Sequence, residues 1–442
     1  MSTDPGKLDY LLAQEPTGAR DYNAFVNASA QGRSLWLTLG QYFLSASIFL
    51  AGFHVWRLGA VNLSASDLAF LAAFAAFLSY GRINSVPFGL MTPLWLAGLT
   101  LMLGGLFFST LFNGDLTRWI IIAMQYIFAF FFIPVVLTAQ ARDRIRGLVL
   151  VFVLGVTVME LVGIIVSMVY ERGSVPGLFG PGFLQGNGRL GSFAGEPNWN
   201  GSLIAMAVPM LIYCIKERLM PIWASLLAAG ILIWGLLLSA SFTGFAATMV
   251  AVVLMLFLLG ARYLMRFAVV IALAGALFVV SGAPVPEIFS KRVGGALSSG
   301  DIAQAGTYTG RVELMREAWQ LAEDTSIIGV GADGFRNISA THQPVHNLYL
   351  LMWTEGGLPT LFGLVMILCL MPAMALMALR SARTDAALVL AVVMVLLIYT
   401  MSSPHMYARL SIMPVMLTLS LLFARAGVPR PLDQRQSVLA TQ

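Results

Sequence analysis

The chain has 442 residues, of which 58% are hydrophobic and only 11% are charged, and its mean hydropathy is +0.83. Because a soluble globular protein carries about 25% charged residues, this composition excludes a soluble domain. Apolar runs of about 20 residues, long enough to cross a bilayer as a helix, recur from one end of the chain to the other. The sequence therefore predicts a polytopic membrane protein.

The apolar runs are continuous and lack the alternation of a membrane β-barrel, so we predict transmembrane helices. The predicted fold is an all-α polytopic membrane protein with about 12 such helices. We expect a cytoplasmic N-terminal segment (1–33), a transmembrane domain (34–426) and a cytoplasmic C-terminal tail (427–442). In chain order, the predicted spans are residues 34–56, 63–80, 88–112, 117–139, 145–170, 200–216, 220–240, 242–260, 263–282, 347–378, 384–402 and 408–424.

The basic residues predict the orientation of these spans, since cytoplasmic connections are enriched in Lys and Arg. Most basic residues fall on the side that also holds both termini, which is therefore predicted to be cytoplasmic. The short connections on the opposite side carry only Arg57, Arg118 and Arg409. The net charge of +5 thus reflects membrane topology and does not indicate a nucleic-acid partner.

Two connections on the predicted outer side are much longer than the others, at residues 171–199 and 283–346. Long loops in a compact domain are usually either functional or disordered. Both of these loops contain aromatic and apolar residues and lack blocks of like charge. We expect them to fold over the outer face, which would then carry the functional site.

The shorter of the two loops contains the stretch "GNGRLGSFAGEPNWNG" (186–201). Its glycine and proline residues oppose regular structure and let the backbone approach a ligand closely. Arg189 lies at its centre, and Glu196, Asn198 and Asn200 follow just before the next span. An ordinary polar turn that caps a helix would account for the asparagines, but it accounts less well for Arg189.

The longer loop contains "GTYTGRVELMREAWQLAEDT" (306–325), which has the apolar spacing of an amphipathic helix. Arg311 falls in its first turn, where a cation opposes the helix dipole. An anion suits that position, because free backbone N–H groups and the guanidinium could hold it together. Val312, Met315, Trp319 and Ala322 fall on one stripe of this helix, which could lie on the membrane surface or pack on the helix bundle.

The stretch "GVGADG" (329–334) that follows matches the dinucleotide-binding pattern G-x-G-x-x-G in its letters alone. The dinucleotide site needs a strand before these glycines and a helix after them within one βαβ unit. Here a predicted helix precedes the stretch and a membrane span follows it. We therefore predict a turn and no cofactor.

His346 and Asn347 lie at the start of the tenth predicted span, in "QPVHNLYLLMWTEGG" (343–357). A histidine there could act as a general base or phosphate ligand, because its ring titrates in the useful range. It could also merely cap the helix, and the residues alone favour this second interpretation. Glu355 and Glu160 lie inside spans and are predicted to contact neighbouring helices.

Three segments resemble the O-antigen ligase and O-antigen polymerase superfamily of bacterial membrane proteins. They are "RLGSFAGEPN", "TGRVELMREAWQLAEDTSIIGVGADGF" and "HNLYLLMWTEGGLPTLFG", which occur in this order within residues 185 to 365. One departure is the turn "SFTG", where Phe242 stands at a place that holds arginine in many members. A role for that arginine is absent here or has moved to another residue.

The resemblance implies a metal-independent, GT-C-like glycosyltransferase without a cofactor. Such an enzyme moves a glycan from undecaprenyl diphosphate to an acceptor on the periplasmic side of the inner membrane. By the same resemblance, His346 is the catalytic residue, and Arg189 and Arg311 bind the diphosphate. Possible supporting residues are Glu196, Asn198 and Asn347.

The resemblance does not separate two activities. Polymerisation of exopolysaccharide or O-antigen repeat units is favoured, and ligation of a glycan to lipid A–core is the alternative. The expected partners are the lipid-linked glycan, the acceptor, membrane lipids and other polysaccharide export components, without nucleic acid. A transporter or lipid flippase, the alternative from another class, should hold charges near the midplane or show related halves, and the sequence indicates neither.

Overall fold

The structure is a computed structural model that describes residues 35–58, 63–282, 285–300, 308–325, 327–404 and 409–424. It is 78% helical. A two-stranded antiparallel ribbon, β1 (Arg57–Leu58) and β2 (Leu63–Ser64), lies between the first two helices. The predicted segments 1–33 and 427–442 lie outside the described residues.

The helices follow one another in a simple order along the chain. Those before the longer loop are α1 (Leu35–Gly52), α2 (Ala65–Tyr80), α3 (Thr92–Asn113), α4 (Leu116–Leu137), α5 (Arg142–Val169), α6 (Val175–Phe179), α7 (Pro197–Lys216), α8 (Ile222–Ser239), α9 (Phe242–Leu259) and α10 (Ala261–Ser281). Those within and after the longer loop are α11 (287–299), α12 (Tyr308–Asp324), α13 (Gly334–Ile338), α14 (Leu348–Ala378), α15 (Arg383–Thr400) and α16 (Arg409–Phe423).

Every predicted span coincides with one of these helices. Among the described residues, nine helices are long and apolar enough to cross a membrane, while α2 and α16 are shorter apolar helices. The chain is therefore an all-α, multi-pass membrane protein. The number of crossings and their orientation stay predictions.

Close helix crossings at glycine bring the ends of α7 and α9 together. A Cβ on Gly244 would lie 2.9 Å from the Cα of Gly201, so each position tolerates no larger residue without a shift. Small residues of this kind let helices in membranes approach closely. The crossing holds Asn198, in the first turn of α7, beside Ser241, the N-cap of α9.

The loop at 171–199 folds back onto the helix ends. Leu184 and Leu190 form an isolated antiparallel bridge, and Leu190 N–H donates to the carbonyl of Leu238 at the end of α8. Ser192 Oγ donates to the carbonyl of Met159 in α5 at 3.0 Å. These contacts fix the backbone on both sides of Arg189.

The stretch 329–333 is a turn that leads into α13 at Gly334, which confirms the turn predicted here. Gly331 (φ +90°) and Asp333 (φ +59°) adopt left-handed conformations. Gly331 N–H donates to the carbonyl of Glu355, and a Cβ on Gly329 would lie 2.4 Å from the Glu355 carbonyl carbon. The glycines therefore serve close packing of the turn against α14.

The apolar stripe of α12 matches its buried face only in part: Ala322 is buried and Met315 is partly buried. The buried residues are Leu314, Ala318 and Ala322, whereas Trp319 is 51% exposed. Trp319 meets Trp353 of α14 edge to face, with ring centroids 5.4 Å apart. α12 packs against α14, and the bulky indole of Trp319 remains largely exposed beside this contact.

Glu160 and Glu355 are both buried and contact neighbouring elements, as predicted. Glu160 accepts a hydrogen bond from Asn200 Nδ2 of α7 at 3.3 Å, and Asn200 Nδ2 also donates to the carbonyl of Leu190. The carbonyl of Glu355 accepts from Ser109 Oγ of α3 at 2.6 Å. Neither residue lines the cavity described below.

Candidate functional site

A cavity of about 410 Å³ lies where the two long loops meet the helix ends. Its walls come from the loop at 171–199, the first turns of α7 and α9, α11, α12, the start of α14 and the end of α15. Five of the residues singled out in the sequence line it: Arg189, Glu196, Asn198, Arg311 and His346. The fold therefore joins side chains that are far apart along the chain.

Arg189 is held in place by two neutral acceptors. Its Nε donates to the carbonyl of Ser239 at 2.9 Å, and its Nη2 donates to Asn198 Oδ1 at 2.9 Å. The side chain is only 6% exposed, yet it lines the cavity. Because Nε and Nη2 are anchored, the remaining N–H groups of the guanidinium are the ones available to a ligand.

Glu196 is the N-cap residue of α7 and organises this anchor. Its Oε2 accepts hydrogen bonds from the backbone N–H groups of Asn198 (2.8 Å) and Trp199 (2.9 Å), and Pro197 occupies the first helical position. Its Oε1 accepts from Asn198 Nδ2 at 2.9 Å, which turns Asn198 Oδ1 toward Arg189. Glu196 thus acts on Arg189 through Asn198.

The charge of Arg189 is only partly balanced. Burial is the main cause that lowers the pKa of Arg189 to about 10, the neighbouring cation Arg292 acts in the same direction, and Glu196 opposes both. The guanidinium remains protonated at neutral pH. Among the described residues that line the cavity, Glu196 is the one carboxylate.

Arg311 lies in the first turn of α12 and is half-buried in the cavity wall. Its Nε is buried and has no hydrogen-bond partner among the described residues. The guanidinium sits close enough to lower the pKa values of both Arg189 and His346. A cation placed this way suits an anionic ligand.

The ring of His346 is oriented by the backbone. Its Nδ1 lies 3.0 Å from the carbonyl oxygen of Pro344, which can only accept, so Nδ1 carries the proton. In the neutral ring this leaves a lone pair on Nε2. Burial, followed by the nearby Arg311, lowers the pKa of His346 from 6.5, which favours this neutral form.

Asn347, and not His346, caps α14. Asn347 Oδ1 accepts a hydrogen bond from Leu350 N–H at 3.0 Å, and Asn347 is absent from the described lining of the cavity. The capping role considered for His346 therefore belongs to Asn347. Asn347 supports the site indirectly, because it fixes the helix start that positions His346.

The sequence interpretation missed residues on two walls of the cavity. Arg292, in the π-helical turn Ser290–Gly294 of α11, lies among the lining residues. A second wall is aromatic and hydroxyl-bearing: Trp199, Thr243, Tyr399, Ser402 and Ser403. A basic pair in the outer loop, Lys291 and Arg292, was the available signal for Arg292. The polar turn after α15 was the signal for Ser402 and Ser403 of the second wall.

The cavity has a cationic lining and a wall of hydroxyl and aromatic side chains, a combination that suits an anionic group next to a sugar. A family model described as O-antigen ligase matches residues 227–365, from within α8 to within α14. This match covers less than half of the chain, and it supports the resemblance to the ligase and polymerase superfamily. Arg292, Arg311 and His346 fall inside the match, and Arg189 lies before it.

A comparison of the chain with curated proteins returned no match.

Proposed function

We propose that this protein is a glycosyltransferase of the bacterial inner membrane that takes its glycan from undecaprenyl diphosphate on the periplasmic face. The most suitable reaction is polymerisation of exopolysaccharide or O-antigen repeat units. The observation that carries the proposal is the joint lining of one cavity by Arg189, Arg311 and His346. The O-antigen ligase family match supports the same class of reaction.

In the proposed step, a hydroxyl group of the acceptor sugar attacks the anomeric carbon of the donor glycan. The hydroxyl proton passes to His346 Nε2, and a new C–O bond forms. The bond between the anomeric carbon and the diphosphate oxygen breaks, and its electron pair leaves with undecaprenyl diphosphate. Arg189 and Arg311 stabilise the charge that develops on this leaving group.

The guanidinium groups supply the positive charge that a divalent cation supplies in other enzymes of phosphorylated donors. We therefore propose that the reaction is independent of metal. Chelation with EDTA should leave the rate unchanged, whereas loss of turnover that Mg²⁺ or Mn²⁺ restores would contradict this point.

Polymerase and ligase differ in the acceptor alone, so one experiment separates them. Purified protein is incubated with lipid-linked repeat units, with and without lipid A–core, and the products are resolved by size. A ladder of longer lipid-linked glycans without lipid A–core is the expected result. Transfer only when lipid A–core is present would assign the ligase reaction, and the lack of any product with either acceptor would reject the proposed function.

The same assay can separate the role of His346 as a base from the role of the two arginines in binding the donor. His346→Ala should still bind the lipid-linked donor but fail to transfer, because a base acts on the acceptor. Equal transfer by His346→Ala and wild type would remove the base role.

The periplasmic placement is tested by reporter fusions after Arg144 and after Ser299, which should report opposite sides of the membrane.

A further inference from the structure

Trp199 is the largest of the described side chains that line the cavity, and it lies in the first turn of α7. Part of the side chain packs against the hydrophobic core, and the residue is half-buried. The residues that follow, Asn200 to Ala207, are all buried inside the helix bundle. Trp199 therefore marks the point where α7 leaves the bundle interior and meets the cavity.

Trp199 is held in place through its backbone and through its ring. Its backbone N–H donates to Glu196 Oε2 at 2.9 Å. The indole meets the ring of His54 edge to face, with centroids 5.3 Å apart and an interplanar angle of 74°. His54 is itself buried, and its Nε2 accepts from Arg57 Nη1 at 3.0 Å, because a guanidinium can only donate. A fixed aromatic ring offers a large contact area to a ligand at a low cost in conformational entropy.

Hydroxyl groups lie beside the indole. A recess of about 20 Å³ shares Trp199, Tyr399 and Ser403 with the main cavity, and Ser202 and Ser411 also line it. A hydroxyl group can both donate and accept hydrogen bonds. The combination suits a sugar ring, whose apolar C–H face can stack on the indole while its own hydroxyl groups bond to the serines.

The position of the recess indicates which sugar this would be. Leu348, which follows His346 by two residues at the start of α14, lines the same recess as Trp199. In the proposed reaction His346 takes its proton from the acceptor, so the sugar beside this residue is the acceptor sugar. The diphosphate of the donor is bound by Arg189 and Arg311 on the cationic wall.

We propose that Trp199 is the platform on which the acceptor sugar stacks, with the neighbouring serine hydroxyls binding the hydroxyl groups of that sugar. This proposal rests on the proposed function and deepens it, because it assigns acceptor recognition to a part of the cavity apart from the arginines. A stacking contact is present before and during the reaction, so Trp199 sets KM for the acceptor more than kcat.

Two binding probes separate the acceptor sugar from the diphosphate. The first is the free oligosaccharide that mild acid releases from the bacterium's own lipid-linked repeat units, which has no leaving group and can act only as an acceptor. The second is undecaprenyl diphosphate without a sugar. Trp199→Leu should weaken oligosaccharide binding about tenfold and leave undecaprenyl diphosphate binding unchanged. Trp199→Phe keeps an aromatic ring and should recover part of the loss.

Trp319→Leu is the matched control for the loss of an indole. Trp319 belongs to α12, is 51% exposed and is absent from the described lining of the cavity. Trp319→Leu should bind both probes as the wild type does. In a transfer assay that counts only product on an oligosaccharide labelled at its reducing end, Trp199→Leu should raise KM for the oligosaccharide about tenfold and change kcat less.

The other outcomes are distinct. Equal oligosaccharide binding by Trp199→Leu and Trp319→Leu, or no oligosaccharide binding by the wild type, would overturn the inference even if glycan is transferred from the lipid-linked donor. A higher KM for the donor with an unchanged KM for the oligosaccharide would place the donor sugar on Trp199 and also overturn it.

Oligosaccharide binding that depends on Trp199, without any glycan transfer, would support the inference and reject the proposed function. An equal loss of undecaprenyl diphosphate binding in Trp199→Leu would show that the indole supports the whole cavity, and the inference would fail. A thermal melt in detergent shows whether Trp199→Leu is folded, and if it is not, Trp199→Phe carries the comparison with an expected loss of about threefold.

Discussion

Two buried arginines near helix ends show how partner chemistry separates a structural residue from a ligand-binding one. Arg409 is 5% exposed and Arg189 is 6% exposed. Arg409 grips the carboxylate of Asp67 with two hydrogen bonds, Nε to Oδ1 at 2.8 Å and Nη2 to Oδ2 at 2.6 Å. Its Nη1 also donates to Gln125 Oε1 at 3.3 Å.

Arg189 has the same burial but the opposite kind of partner. The acceptors that hold it, the Ser239 carbonyl and Asn198 Oδ1, are neutral, so its charge is retained within the cavity. The Asp67–Arg409 pair cancels its own charge and ties α2 to α16. A buried cation without a direct carboxylate partner is costly, and such costs cluster at functional sites. The comparison therefore separates the cavity from a structural ion pair of equal burial.

The largest expected effect comes from the cavity arginines. Arg311→Lys keeps the charge but removes the planar fork that binds two phosphate oxygens at once. Glycan transfer should fall about 100-fold or more, and Arg189→Gln should be at least as inactive, because one donor to a developing charge contributes about 10²–10³ in rate. The measurement is in vitro transfer from lipid-linked donor, with a thermal melt of each variant. Near-normal transfer by Arg311→Lys would reduce Arg311 to a non-specific surface charge.

Variants of the Asp67–Arg409 ion pair should lose stability and keep activity, the opposite of the cavity variants. Asp67→Asn removes the charge that balances Arg409 and leaves a buried cation, at a cost of about 3–5 kcal/mol in the free energy of unfolding. The melting temperature in detergent should fall clearly, while the folded fraction retains transfer activity. The double variant Asp67→Leu with Arg409→Met should recover much of the stability. A loss of transfer without a loss of stability in Asp67→Asn would place this pair in the functional machinery.

The fold was largely predictable from sequence because apolar runs of spanning length are a local property. The predicted span at 200–216 corresponds to α7 (Pro197–Lys216), and the difference arises at the cap formed by Glu196 and Pro197. The buried face of α12 was less predictable, because its packing against the other helices buries Leu314 and Ala318 and leaves Trp319 exposed. The spacing of apolar residues along α12 does not show which of them face the neighbouring helices.

The site was partly predictable for a similar reason. Arg189 stood out because an ordinary helix-capping turn accounts poorly for it, and Arg311 stood out because a helix first turn disfavours a cation. Arg292 had only the weak signal of a basic pair with Lys291, and the path of the longer loop brings it to the cavity. Asn347 was grouped with His346 by adjacency, yet its side chain turns back to cap α14.

A more moderate effect is expected when Arg189 receives a carboxylate partner of the kind that Arg409 has. Asn198→Asp places a carboxylate 2.9 Å from Arg189 Nη2 and so neutralises that cation. Donor binding should weaken about tenfold, seen as a higher KM, since one charge-assisted contact to the diphosphate is lost. Asn198→Asp also meets Glu196, so Glu196→Gln with Asn198→Asp is measured alongside it. Unchanged KM in both variants would contradict a diphosphate role for Arg189.

The smallest expected effect is a shift in the pH dependence of transfer. The base form of His346 is the neutral ring, and burial together with Arg311 lowers the pKa of His346 from 6.5. Wild-type transfer should therefore fall only as the pH drops below 6.5, when the ring becomes protonated. Arg311→Gln removes the neighbouring cation, so the pKa of His346 rises and the acid limb of the residual activity moves to higher pH. Glu196→Gln controls for the cavity carboxylate and should leave the position of that limb unchanged. The measurement is the pH profile of kcat/KM for each variant. An acid limb that moves with Glu196→Gln and not with Arg311→Gln would assign the titration to Glu196 and remove His346 as the base.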